Sequence, residues 1–211
     1  MTRARDVANR TIVANSVGAT ELDLTDNYAF TGTISGAGSN IIEKIDMVCN
    51  GEAHVVNGTT YTPSNVTAAV ALTDTHTVIT GSSISYTAPS NATRVTYEFL
   101  FTINWEDTAG IFHAALRVDG TQITGSRQTP SYQGTYDNVR HLFKYTLPIG
   151  GTGSNTTGRQ ATWSSAKTLD VTARRYSSTY DGNLHELLYW DGATQSPVLI
   201  DQPVLTITAY R

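Results

Sequence analysis

"RVTYEFLFTIN" (Arg94–Asn104) alternates as a β-strand must. Val95, Tyr97, Phe99, Phe101 and Ile103 fall on one face, Thr96, Glu98 and Thr102 on the other, and Leu100 breaks the pattern. Successive side chains of a strand point to opposite sides of the sheet, so this period of two predicts a strand with one face in a core. Its surroundings repeat the signal. "IFHAALRV" (Ile111–Val118) turns Phe112, Ala114, Leu116 and Val118 inward and runs into Asp119–Gly120, followed by "TQIT". Asp-Gly between two alternating runs predicts a tight hairpin, because both central residues of such a turn need positive φ.

The pattern recurs to the end of the chain. "VRHLFKYTL" puts Val139, His141, Phe143, Tyr145 and Leu147 on one face, and "KTLDVTARRY" does so with Leu169, Val171 and Ala173. "PVLTITAY" alternates Leu205, Ile207 and Ala209 with Thr206 and Thr208. "LHELLYW" (Leu184–Trp190), apolar on both faces, reads as one strand needing a second cover, a subunit interface being one such cover, and runs into a second Asp-Gly turn at Asp191–Gly192. Weaker strands are expected at Ile41–Val48, Glu52–Val56, Thr75–Thr80 and Ser82–Tyr86. Tyr97, Phe99, Phe143 and Tyr145 are expected in the core or at a subunit interface.

About ten short strands without an amphipathic helix predict an all-β fold, an antiparallel sandwich or barrel. Strong strands come from distant parts of the chain, which favours a jelly-roll β-sandwich over a simple meander. This domain is assigned to residues 41–211, with residues 1–40 as an extended N-terminal arm, anchor and joint. The first twenty residues mix Arg3, Arg5 and Arg10 with small aliphatics, and a short helix over Arg5–Arg10 fits there as well as a tether. In "DLTDNYAFTGTISGAGSN" (Asp23–Asn40), Leu24, Tyr28, Phe30 and Ile34 alternate loosely before the glycines. Leu22–Ile34 is expected to dock on a partner subunit, with Gly36–Asn40 turning the corner.

Charged residues make up 15% of the 211 residues, and the formal net charge is −4. That balance argues against nucleic acid as a partner, although a local basic patch survives such an average. No apolar run matches a signal peptide or the ~20 residues of a membrane span. Cys49 stands alone, so no intrachain disulfide or cysteine zinc cage is possible, and a buried thiol is expected. The Asn-x-Thr triplets at Asn9, Asn57, Asn65, Asn91 and Asn155 read as chance in a chain this rich in Asn and Thr.

Signals for chemistry are thin. "GTISGAGSN" and "GGTGSNTTG" lack the spacing, the lysine and the following helix of phosphate loops, so no nucleotide cofactor is expected. His54, His76, His113, His141 and His185 form neither HxH nor HExxH, and a metal site would have to be gathered across strands. His141, beside Phe143 and Tyr145, reads as a satisfied core or interface imidazole. Glu98, Glu106, Asp107, Glu186 and Asp191 are the carboxylates from which a glycosidase pair would have to come. Tyr189 and Trp190, in "YWDG", are candidate sugar-stacking residues, or more simply a strand end entering a turn. A non-enzymatic binding or structural protein is expected.

"RARDVAN" (Arg3–Asn9) and "LDLTDNYAFTGTISGAG" (Leu22–Gly38) resemble the opening of virion structural and tail-fibre proteins of marine tailed phages, especially those infecting cyanobacteria. "SYTAPSNATRVTYEFLF" (Ser85–Phe101), "HAALRVDGTQI" (His113–Ile123) and "ELLYWDG" (Glu186–Gly192) resemble the β-rich modules of the same family. The resemblance implies a homotrimeric jelly-roll sandwich, joined to other virion proteins through an N-terminal arm that carries Arg3, Arg5, Leu24, Tyr28, Phe30 and Ile34. A short tail fibre or fibre knob is the first expectation. The loops Gln128–Asn138, Gly150–Gln160 and Ser177–Asn183 would then face outward, towards host-surface polysaccharide. A capsid decoration protein is the alternative, and a carbohydrate-active enzyme or lectin a third.

Overall fold

The protein is described by a computed structural model covering residues 40–105, 109–133, 137–190 and 195–211. Arg3, Arg5, Leu24, Tyr28, Phe30 and Ile34, and with them the expected arm, lie outside the described residues. The strands are β1 (Ile41–Val48), β2 (His54–Val56), β3 (Thr59–Tyr61), β4 (Val70–Ala71), β5 (Thr77–Val78), β6 (Ile84–Tyr86), β7 (Arg94–Trp105) and β8 (Ala109–Val118). They continue as β9 (Thr121–Gln122), β10 (Ser131–Gln133), β11 (Asp137–Pro148), β12 (Lys167–Arg175), β13 (Asn183–Leu184), β14 (Glu186–Trp190), β15 (Gln195–Ile200) and β16 (Val204–Tyr210). A single 3₁₀ turn, Thr124–Ser126, is the helical element among the described residues.

Two antiparallel sheets form the sandwich. Sheet one runs β1-β16-β7-β11, with the short β13 and β4 beside the far end of β7. Sheet two runs from β10 and β9 through β8 and β12 to β5 and β6. Setting aside the small pairs β2–β3 and β14–β15 and the short β4 and β13, and taking β5 with β6 and β9 with β10 as one position each, leaves eight positions in chain order. They pair as first with eighth, second with seventh, third with sixth and fourth with fifth. This nesting is a long hairpin wound around one core, and the expected jelly-roll sandwich is the observed fold.

Inward positions are those the alternation picked out. Val95, Tyr97, Phe99, Phe101 and Ile103 of β7 meet Phe112, Ala114, Leu116 and Val118 of β8 and Leu169, Val171 and Ala173 of β12, all buried. Phe101 lies at the centre: its ring stacks on Phe99 at 5.2 Å and meets Phe112 of the other sheet edge-on at 6.3 Å. The Tyr97 hydroxyl, deep in this core, donates to the Ser82 carbonyl. Phe143 is fully buried, while Tyr145 is part-buried and donates its hydroxyl to the Thr157 carbonyl at 2.9 Å. Cys49 is buried as expected, and burial pushes its thiol up to about 12, which favours the protonated form at neutral pH.

The Asp-Gly hairpin after β8 is present, with φ of 50° at Asp119 and 77° at Gly120. Asp119 also accepts the Thr168 amide at 2.9 Å, which ties the turn to β12. Gly110 is required for a different reason: a methyl group there would fall 2.0 Å from the ring of Trp105.

Three expectations need correction. Leu184–Trp190 is not one strand. His185 adopts a φ of 64°, so Asn183–Leu184 pairs with β7 and Glu186–Trp190 leaves the sheet to pair with β15. The backbone edge of β14 is met by the chain itself: the Asn138 side chain accepts the Leu188 amide at 2.9 Å and donates to its carbonyl at 2.7 Å, taking the place of a strand neighbour. The stretch 128–133, expected as part of an outward-facing loop, is tied to β8: Gln128 bridges to Ala114 and β10 pairs with β8. Finally, "TQIT" is extended only through Gln122 before the 3₁₀ turn, and β3, β4, β10 and β15 were not anticipated.

Candidate functional site

With inward positions committed to the core, function falls to the outer faces. On sheet one the outer residues of four strands fall into register: Val48 opposite Val204, Val204 opposite Leu100, and Leu100 opposite Leu142. An aliphatic row therefore crosses the sheet, with Val48 41% and Leu142 49% exposed. Charged pairs border it. Lys144 meets Glu98 at 2.9 Å on one side, and Arg140 meets Asp201 at 2.9 Å on the other.

The outer face of sheet two is different. Arg117 and Asp170, cross-strand partners, form a two-pronged ion pair at 2.6 and 2.9 Å. Further along, Arg174 lies opposite His113. The register of Ala173 with Thr77 puts His76 beside Arg174, and the Ala114–Gln128 bridge brings Arg127 and Thr129 against β8. These residues, with Gln122 and Tyr176, line an open cavity of about 490 Å³. The His76 and His113 rings meet edge-on at 4.7 Å. Burial holds both imidazoles below their ordinary range; the Arg174 and Arg127 charges depress them further, as His113 does for His76. Among the described residues no carboxylate pairs with Arg127 or Arg174, whereas Arg117, Arg140 and Arg175 all have one. Arg174 donates only a long bond, 3.4 Å, to the Asp74 carbonyl.

The residues singled out in the sequence are scattered. Tyr189 and Trp190 lie in β14, and their side chains fall outside the described residues, as do Glu106, Asp107 and Asp191. Glu98 is taken by Lys144, and Glu186 is buried in β14 opposite Ile200. Of the carboxylates considered, Glu98 and Glu186 are the two among the described residues, one held in an ion pair and the other buried. No group of three or more His, Cys, Asp or Glu side chains suited to a metal occurs among the described residues. His141 is satisfied, with the Tyr132 hydroxyl and the Gln128 amide oxygen each 3.2 Å from its ring nitrogens, and burial pushes it down to about 4. His185 is fully buried and is likewise pushed down to about 4. Reasoning along the sequence missed the cluster of His76, His113, Arg127 and Arg174. These four come from four separate segments, and no local pattern joins them.

No known protein family and no curated protein matches this chain. Solved structures are similar to it at a low level, two of them as follows. The sugar-binding EclA C-terminal domain has a TM-score of 0.31 and 16% identity over 56% of this chain and 74% of that one. A structure of infectious bursal disease virus, Gx strain, has a TM-score of 0.33 and 10% identity over 80% of this chain and 37% of that one. At TM-scores this low neither likeness bears on function.

Proposed function

We propose that the protein is a non-enzymatic structural component of a phage virion: a homotrimeric short tail fibre or fibre knob, anchored by its first twenty residues. The aliphatic row Val48–Val204–Leu100–Leu142 is the observation that carries this reading. Four aligned aliphatic side chains across an otherwise polar sheet face, bordered by charges of both signs, have the make-up of an interface core with a polar rim. The occupant is a second copy of this chain. Its own row supplies the apolar partner, and the border offers Lys144 and Arg140 as well as Glu98 and Asp201 for complementary contacts. Three copies around an axis bury the rows together. The jelly roll completes its own core beneath that face, as a stable particle component requires, and the resemblance of the sequence to phage virion proteins points the same way.

The test is molar mass in solution. The full chain is expected to be a trimer, and Leu100→Glu with Leu142→Glu a folded monomer. A monomeric parent protein overturns the reading, as does a double variant that stays trimeric. Deleting residues 1–20 should leave the trimer intact but unable to join particles. A count of some hundreds of copies per virion would move the protein from the tail to the head.

A further inference from the structure

We infer that the outer face of sheet two holds a binding site for an acidic saccharide, its carboxylate or sulfate lodged between Arg127, Arg174 and the paired imidazoles of His76 and His113. The first ground is charge. In a chain with a net charge of −4, two guanidinium groups converge on one cavity that no carboxylate lines, beside two histidines that can offer hydrogen bonds. On the same sheet face Arg117 is neutralised by Asp170, so the fold can pair an arginine there and leaves these two without a described carboxylate partner. Arginine presents a fork of donors that fits carboxylate and sulfate oxygens, and its charge does not titrate away.

The second ground is an unused donor or acceptor. His113 Nδ1 is buried with no hydrogen-bond partner among the described residues. A buried polar atom without a partner costs free energy, and a ligand oxygen satisfies it once the ring turns that nitrogen towards the cavity. A metal fits poorly, because two histidines are short of a ligand set and the flanking arginines repel a cation.

The third ground selects the saccharide. Tyr176, 62% exposed, stands on the lining of the cavity, and its ring is met edge-on by Tyr180 at 5.6 Å. An exposed ring fixed beside charged groups is a platform for the apolar face of a pyranose. Gln122 and Thr129 line the same cavity with neutral donors and acceptors for hydroxyls. At about 490 Å³ the cavity has the size of a small-ligand site.

The site lies on the sheet opposite the aliphatic row, so the two readings fail separately. Calorimetric titration of the full chain with a sulfated disaccharide, a uronic-acid disaccharide, their neutral parents and inorganic sulfate tests it. The acidic sugars are expected to bind roughly tenfold or more tightly than the neutral ones, the difference that one charge-assisted contact makes. Arg127→Gln with Arg174→Gln should abolish that difference without lowering the melting temperature. Tyr176→Ala should weaken the saccharides while leaving inorganic sulfate unchanged. Absence of binding by both acidic sugars, or binding indifferent to the arginine pair, overturns the site. Inorganic sulfate binding as tightly as the sulfated sugar overturns the saccharide assignment.

Discussion

The two sheets share one core but present opposite outer faces. Sheet one crosses its outer face with aliphatic side chains and borders them with paired charges, Lys144 with Glu98 and Arg140 with Asp201. Sheet two pairs one arginine with a buried carboxylate and gathers two more, with two histidines, around an open cavity. Inward positions obey the same alternation in both, so folding does not set the contrast. Outer positions are free of the core's demands, and there the two faces have diverged in chemistry.

Phe101 tests whether both faces depend on the shared core, because its ring touches residues of both sheets. Phe101→Ala is expected to cost about 3–5 kcal/mol in urea unfolding, with loss of the proposed trimer and of the cavity together. If one face survives intact, the sheets are less coupled than their packing implies.

Acid should act on the core next. Burial depresses His141 and His185 to about 4, against ~6.5 in an unfolded chain. The unfolded state takes up these protons first. The stability of keeping both imidazoles neutral is therefore full above pH ~6.5, erodes as pH falls through the interval, and is lost below about 4. For His185 the loss amounts to about 3 kcal/mol, and for the part-exposed His141 to less. Melting curves from pH 7 to 4 check this, and His185→Gln should flatten part of the slope.

A smaller change would sharpen the contrast between faces. Asp170→Asn leaves the Arg117 guanidinium without its carboxylate and is expected to cost about 1–3 kcal/mol. It also adds a free cation to sheet two, so acidic sugars should bind somewhat more tightly at the proposed site while the proposed trimer is unchanged. Unchanged sugar affinity would confine the anion's field to the cavity itself.

The sandwich was legible in the sequence wherever a strand had one apolar face, as in Arg94–Asn104 and Ile111–Val118. The register of Ile41–Val48 with β16 was not, because pairing between strands some 160 positions apart leaves no local trace. Leu184–Trp190 misled for a physical reason: a positive φ at a non-glycine residue, His185, is rare enough that no pattern rule places a break there. The basic cluster was invisible for the same reason as the register. His76, His113, Arg127 and Arg174 meet only once β5, β8, the segment before β10 and β12 lie side by side. The candidates that sequence did offer, Tyr189 and Trp190, were chosen by residue type alone, and type says nothing about convergence.

β16 inserts between β1 and β7, the strand made earliest in the sandwich and one from its middle. During synthesis β1 therefore waits with an open edge while every strand of sheet two is produced. Sheet one closes only when β16 leaves the ribosome. Such long-range closure is slow, and a nascent chain stalled before Val204 would present β1 and β7 as bare edges to its neighbours. Expression at high local concentration places that interval under the greatest pressure to aggregate.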